Sequence, residues 1–303
     1  MAEKTAPPPT RIMVTGASGA LGAYVKQRLL EHKYHSVDDV QLTCVTRRPM
    51  DEHDVKADLL DVDTLPQLVA HFAPDAVFHL AWETTHGSYW TDPINTAWAD
   101  ASIILARAVT ERGGWFGFAG TCAEYEWGDE RLSVASTRTR PTTLYGQQKL
   151  RVTQALELMD NTFSGRIFFP FSERENQSRI TSVLLKKLAA DEPLHLRAGD
   201  AWRDIAHADD IAACLVNACF ERLAGTHNLA TGRPTHMGKF LRSIAEQLGK
   251  PNLLTWDDWE SGSANATEPQ HLVADVAPVD GVLPALSNLD AGIARFVKAF
   301  TQR

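Results

Sequence analysis

The 303-residue sequence predicts an α/β protein, a doubly wound parallel sheet with helices on both faces and a smaller C-terminal α/β lobe. Three observations predict it. A short apolar strand runs straight into a glycine-rich turn and a helix. Strand and helix patterns then alternate through the first half of the chain, as parallel sheets require. At 44% hydrophobic and 22% charged, the composition suits a large buried core rather than a disordered chain.

Residues 1–10, MAEKTAPPPT, are polar and Pro-rich and read as a flexible tail. Residues 11–14 (RIMV) form the first strand. It ends in Thr15-Gly16-Ala17-Ser18-Gly19-Ala20-Leu21-Gly22, and AYVKQRLLEH follows as a helix. Residues 40–46 (VQLTCVT) give the second strand, and Leu59 to Phe72 has helical apolar spacing. Residues 75–81 (DAVFHLA) give a strand, Ala97 to Arg112 a helix, 115–119 (WFGFA) a strand, Thr142 to Met159 a helix, and 164–169 (SGRIFF) a strand. Past about 170 the alternation weakens. The acidic, Gly/Ser-rich stretch from Trp256 to Glu268 reads as a loop.

The net charge of -8 and the isolation of the basic pairs Arg47-Arg48 and Lys186-Lys187 argue against a nucleic-acid partner. No run is long and apolar enough for a membrane span, and none resembles a signal-peptide core. Cys44, Cys122, Cys214 and Cys219 form no CxxC pair, and no His/Cys cluster has zinc spacing. The expectation is a cytoplasmic protein with free thiols and no metal.

Gly16, Gly19 and Gly22 stand at a strand-to-helix junction. Glycine lets the backbone turn sharply and approach a pyrophosphate, which then meets the N–H groups and positive end of the helix. The spacing is G-x-x-G-x-x-G, which differs from the G-x-G-x-x-G fingerprint. This reads as a dinucleotide site in a Rossmann-like domain spanning 11–170. An acid at the end of the second strand would hold the ribose 2′-hydroxyl of NAD. Here that strand runs into Arg47 and Arg48, with no acid until Asp51. Guanidinium groups suit a 2′-phosphate, so NADP(H) is favoured and NAD(H) is the alternative. Solvated loop arginines are the other reading. Asp58 either reaches the adenine or caps a helix.

Tyr145 and Lys149 lie four residues apart on the predicted helix, so they share a face. A nearby ammonium would lower the phenol's pKa and make it a usable acid/base. Thr121 stands just past the strand WFGFA, where open α/β sheets place ligands. It either bonds the substrate oxygen or satisfies the local backbone.

Taken in order, Thr15–Gly22, Asp75–Ala81, Thr121 and Pro141-Thr142-Thr143-Leu144-Tyr145-Gly146-Gln147-Gln148-Lys149 resemble the extended short-chain dehydrogenases/reductases. That group includes nucleotide-sugar epimerases, dehydratases and 4-ketoreductases. Arg166 in GRIFF, the run Trp202 to Ala212 and Asn228 in GTHNLATG extend the resemblance to about residue 250. It implies Tyr145 as general acid/base, Lys149 as nicotinamide-ribose ligand and Thr121 as their partner. It implies a cofactor site of Gly16, Ser18, Gly19, Ala20, Leu21, Arg47, Arg48, Asp58, Leu59, Leu80 and Ala81, with Tyr145 and Lys149. Arg203 would contact the substrate diphosphate, with an ion pair to Asp204 or Asp209 as its alternative, and Asp204 would be structural. The chain would return to the first domain near 205–230, leaving 171–204 and 231–303 as the substrate-binding lobe.

Three departures shape the expected activity. Cys122 and Ala123 replace the Asp-Glu pair of the dehydratases, which leaves Glu124 as a minor proton-transfer candidate. Phe169-Pro170-Phe171-Ser172 replaces the family's Asn-x-Tyr-Gly. Trp82-Glu83-Thr84-Thr85-His86 replaces small residues after the third predicted strand, so Trp82, Thr84, Thr85 and Cys122 are candidate substrate contacts. His86 reads as a loop histidine or a second acid/base. The expected activity is NADPH-dependent reduction of a nucleotide-linked 4-keto-6-deoxysugar. An epimerase with retained NAD is the alternative, and a non-catalytic dinucleotide sensor a third reading. Apolar residues on two faces of the helices near 97–112 and 142–159, among them Ile103, Ile104, Leu150 and Leu158, point to a homodimer.

Overall fold

The computed structural model describes residues 10–31, 40–85, 87–128, 131–196, 201–256, 269–277, 279, 286 and 288–302. The tail up to residue 9, His86 and residues 257–268 of the expected loop lie outside the described residues. The strands are β1 (Arg11–Thr15), β2 (Gln41–Thr46), β3 (Asp54–Lys56), β4 (Ala76–His79), β5 (Trp115–Thr121), β6 (Thr162–Ile167), β7 (Phe169–Phe171), β8 (Leu194–Leu196), β9 (Trp202–Arg203), β10 (Ile205–His207), β11 (Gly225–Leu229), β12 (Thr235–His236), β13 (Leu254–Trp256) and β14 (His271–Leu272). The helices are α1 (Ala20–Glu31), α2 (Leu65–Phe72), α3 (Ile94–Thr110), α4 (Leu144–Leu156), α5 (Ile180–Ala189), α6 (Ala208–Phe220), α7 (Met237–Gln247) and α8 (Leu289–Thr301).

Seven strands form one parallel sheet in the order β11-β6-β5-β4-β1-β2-β3. Its central strands are buried throughout, as in AVFH of β4 and TFSGRI of β6, where even His79, Thr162, Ser164 and Arg166 are covered. One face packs on α1 and α6 through Val25, Leu29, Ile211 and Leu215. The other packs on α2, α3 and α4 through Leu65, Val69, Leu105, Val152 and Leu156. A third core joins α5, α7 and α8 around Leu184, Phe240, Ile244 and Phe296. Short pairings, β7 with β10 and β8 with β13, and the trio β12-β9-β14, accompany it.

The helix expected over 59–72 begins only at Leu65, after a 3-10 turn at Val62–Thr64. Pro66 explains the late start, because proline has no N–H and is tolerated only in a first turn. Strand β3 escapes the sequence pattern because it has three residues, none of them buried, at the sheet edge. The second apolar faces expected on α3 and α4 are partly covered inside the chain. Ile103 and Ile104 pack partly buried against the second core, Leu150 is 9% exposed, and only Leu158, just past α4, stands open at 89%. Among the described residues no helix is long and apolar enough to cross a membrane. All four cysteines are buried and unbridged.

Candidate active site

Strand order reverses between β1 and β4, and the first turn of interest lies at that switch point. Gly16 has φ of +72°, and a Cβ there would stand 2.6 Å from the Ala81 nitrogen at the end of β4. A Cβ on Gly22 would stand 2.1 Å from the Gly16 carbonyl oxygen, so α1 rests directly on the turn. Gly19 meets only the Gly16 oxygen, at 3.3 Å, and lines the cleft. No acidic residue sits in the first turn of α1, so nothing opposes an anion at the helix's positive end.

The cleft has two adjoining cavities, of about 590 and 620 Å³, which share Gly16, Gly19, Leu80, Trp82 and Glu83. The first is lined also by Ser18, Arg47, Arg48, Asp58, Leu59 and Ala81. The second is lined by Ala20, Leu21, Thr121, Cys122, Tyr145 and Lys149. Every residue that the sequence assigns to the dinucleotide therefore borders one cavity or the other. The set fits such a group. A bare glycine and a helix N-terminus face its pyrophosphate region, arginines stand at one end, and a Tyr/Lys pair stands at the other. Asp58 lines the first cavity and accepts the Leu60 N–H at 3.0 Å, so it closes a turn rather than capping α2.

A buried polar chain sets the ends of β1 and β4. Ser102 donates to the Trp98 carbonyl at 2.6 Å, so its oxygen must accept from His79 Nε2 at 2.8 Å. His79 Nδ1 then accepts from Thr15 Oγ1 at 2.8 Å, and Thr15 accepts the Ala81 N–H at 3.3 Å. Burial first, then the Lys149 charge, push the His79 pKa down to about 3. The ring is neutral, with its proton on Nε2.

Lys149 is 4% exposed and donates to the Ala119 carbonyl at 2.8 Å. Its Nζ lies 3.9 Å from the Trp82 ring centroid, 4.5 Å from Phe118 and 5.8 Å from Tyr145. Trp82 is locked in place, because its Nε1 donates to Asn95 Oδ1 at 2.7 Å. Asn95 in turn donates to the Tyr89 carbonyl at 2.7 Å and the Asp92 carbonyl at 2.8 Å. Burial lowers the Lys149 pKa to about 7.

The Tyr145 ring meets Trp82, Tyr89 and Trp90 edge to face, at 6.3, 5.0 and 5.6 Å. Its backbone N–H donates to the Trp90 carbonyl at 3.1 Å. Burial, reinforced by Tyr89, raises the phenol's pKa above its ordinary value, while a hydrogen bond with Thr121 works the other way. The expectation that Lys149 depresses the phenol is corrected here. The ammonium is directed at the Ala119 carbonyl and two aromatic faces, and desolvation of the phenol dominates.

Of the two roles left open for Thr121, the structure shows the backbone one, and it leaves the side chain beside the second cavity. Thr121 caps the turn Cys122–Glu124 by accepting the Ala123 N–H at 3.2 Å, and it lines the second cavity. Glu124 is corrected to a structural role. It is fully buried, one oxygen accepts the Thr121 N–H at 2.8 Å, and the other pairs with Arg166 Nε at 2.8 Å. Asp204 accepts from the Thr231 N–H and hydroxyl, the Gly232 N–H and the Ala274 N–H.

On the substrate side, Trp82, Thr84, Thr85 and Cys122 line the second cavity, as do Phe169, Pro170, Phe171 and Ser172. Arg203 is not in the lining of either cavity. Sequence reasoning missed Tyr89, Trp90, Trp127, Arg174 and Arg179, which all line the second cavity. The Tyr-Trp pair in the polar stretch GSYWTD was a usable signal, because large aromatics in a polar loop need a partner. Arg174 and Arg179 carried none, being charges in a charged loop.

The sequence profile described as the NAD dependent epimerase/dehydratase family matches residues 12–230. The dTDP-L-rhamnose 4-epimerase of Burkholderia thailandensis is 26% identical over 298 residues, covering 80% of this chain and 82% of that enzyme. Among solved structures, the UDP-N-acetylglucosamine 4-epimerase of Methanobrevibacter ruminantium superposes with a TM-score of 0.82 at 20% identity, covering 97% of this chain and 99% of that one. The Bordetella bronchiseptica enzyme WbmH, solved with NAD+, gives 0.77 at 17% identity, covering 97% and 99%.

Proposed function

The chain belongs to the NAD dependent epimerase/dehydratase family, and from that premise we propose that it is an NADP(H)-dependent reductase of a nucleotide-linked 4-keto-6-deoxysugar. The carrying observation is the Arg47-Arg48 pair, which lines the first cavity at the end of β2, where an acid would select NAD. A dinucleotide held by Gly16, Gly19, Arg47 and Arg48 would supply the hydride. Tyr145, kept protonated by burial, gives its proton to the carbonyl oxygen. Thr121 lines the same cavity and steadies that oxygen and the phenol. Lys149 binds the nicotinamide ribose. Trp82, Thr84, Thr85 and Cys122 contact the sugar.

Epimerisation with retained NAD is the second reading. The name of the Burkholderia relative and the NAD+ of the Bordetella neighbour favour it. It needs Tyr145 to accept a proton first and return it later, so the same Tyr145 and Lys149 serve both readings, and cofactor preference separates them.

The test is consumption of NADPH against NADH with TDP-, GDP-, UDP- and CDP-4-keto-6-deoxysugars. Stoichiometric NADPH loss with one of them is expected, and Tyr145→Phe should cut the rate by about 10²-fold or more. A sugar isomer formed with no net loss, on protein that purifies with NAD, would replace the reductase by the epimerase. We also propose a homodimer through α3 and α4, where Ile103 and Ile104 are only half-buried. Light scattering at micromolar concentration should give twice the 33.4 kDa chain mass, and a monomer mass would reject it.

A further inference from the structure

We propose that Trp82 is a positioning residue for Lys149: its indole face takes the place of a counter-ion beside the buried ammonium, and Asn95 anchors that face. The inference does not depend on which sugar or which nicotinamide dinucleotide the cleft takes.

A buried ammonium needs an attractive partner. Lys149 is 4% exposed, and its donation to the Ala119 carbonyl at 2.8 Å uses only part of its donor capacity. Among the described residues no carboxylate pairs with it directly. Glu124 acts on it through charge, but the two Glu124 oxygens are taken by the Thr121 N–H and by Arg166. The other titratable neighbours supply no negative charge. His79, at the end of β4, is a neutral ring, and Tyr145, one turn earlier on α4, keeps its proton. What remains is aromatic. The Trp82 ring centroid lies 3.9 Å from Nζ and that of Phe118 4.5 Å. An indole attracts a cation more strongly than a phenyl ring does, and the attraction grows when water is excluded.

The indole cannot turn away without loss. Its Nε1 donates to Asn95 Oδ1 at 2.7 Å, and its ring packs on Trp98 at 6.3 Å and Phe118 at 6.1 Å. Asn95 is fully buried in the first turn of α3, and its amide nitrogen is held by the Tyr89 and Asp92 carbonyls. The same amide therefore fixes the surroundings of both Lys149 and Tyr145, because Tyr89 meets the Tyr145 ring at 5.0 Å and Trp82 meets it at 6.3 Å. Position 82 lies just past β4, where the sequence departs from small residues, and a small residue there would offer the ammonium no face.

Packing and charge make opposite predictions for this ring. If the indole only excludes water, removing it hydrates the ammonium and makes Lys149 easier to protonate. If its face holds the charge, removing it makes Lys149 harder to protonate.

The experiment follows Lys149 by NMR in the full chain carrying 13C- and 15N-labelled lysine, titrated from about pH 5 to 10. Its resonance is identified by its loss in Lys149→Met. Trp82→Leu should lower the midpoint by about one pH unit, and Trp82→Phe, which keeps a weaker face and the seal against water, by about half of that. Asn95→Leu should move it the same way, because the ring loses its anchor. Melting of each variant checks the fold. A midpoint that stays or rises in both Trp82 variants would overturn the proposal and leave Trp82 a packing or sugar-contact residue. A fall in those two with none in Asn95→Leu would reject the anchor and retain the face.

Discussion

Burial works against the charge of Lys149, and the site keeps the lysine regardless. Its folded pKa of about 7 lies below the ordinary 10.5. Between those values the unfolded chain binds the extra proton, so this group's contribution to stability rises with pH across that window. Above it the penalty is absent, and below about 7 it is fully present. Lys149→Met removes the penalty and keeps an unbranched side chain one atom shorter. At pH 6 the variant should melt roughly 2 °C or more above wild type, with the gap closing toward pH 10 and turnover lost. Matched scanning calorimetry at the two pH values checks it, and a lower melting temperature at pH 6 would show that the Ala119 bond and the aromatic faces outweigh desolvation. The Tyr145/Lys149 pairing was legible because helical spacing is local. The environment that sets the pair's protonation was not, because Trp82, Tyr89 and Phe118 come from other elements. Glu124 shows the same limit. Its distance from Thr121 suggests proton chemistry, yet Arg166, 42 positions away, consumes its second oxygen.

Helix α1 owes its position to a contact between glycines. The Gly22 Cα rests against the Gly16 carbonyl, and one methyl group has no room there. Gly22→Ala should push α1 off the turn, weaken nicotinamide-dinucleotide binding about tenfold or more and cost about 1–3 kcal/mol of stability. Cofactor titration and urea unfolding measure the two effects, and unchanged binding would mean that α1 yields without disturbing the turn. Element boundaries were read well where an apolar pattern met a glycine or a cap, as at β1 and at α4, whose Thr143 accepts the Gly146 N–H at 3.1 Å. They were read poorly where a proline displaced the start, as at α2. The loop before α3 was legible only as unusual composition. Its work, laying Tyr89 and Trp90 against Tyr145, needs the Asn95 clamp, and Asn95 looks like any polar helix residue in the sequence.

Across the whole molecule, Asp204 is the chief polar tie. Its two oxygens gather donors from residues 231, 232 and 274, linking the β9–β10 junction to the chain after β11 and after β14. Burial raises its pKa, and those four bonds oppose the rise. Asp204→Ala leaves several buried N–H groups without an acceptor and should lower the unfolding free energy by about 3 kcal/mol or more. An unchanged urea midpoint would show that water replaces the carboxylate. The sequence alone determined the doubly wound sheet, the glycine turn after β1 and the Tyr/Lys pair, because each is written in residues within a few turns of one another. Tertiary structure decided which charges are spent and which face the cleft. Arg203 looked available until its guanidinium met carbonyls up to 67 positions away, and Arg174 and Arg179 looked ordinary until the β7–α5 segment folded over the cavity. A side chain's chemistry is local, but its burial and its partners are not, and those set whether it binds a ligand or the protein itself.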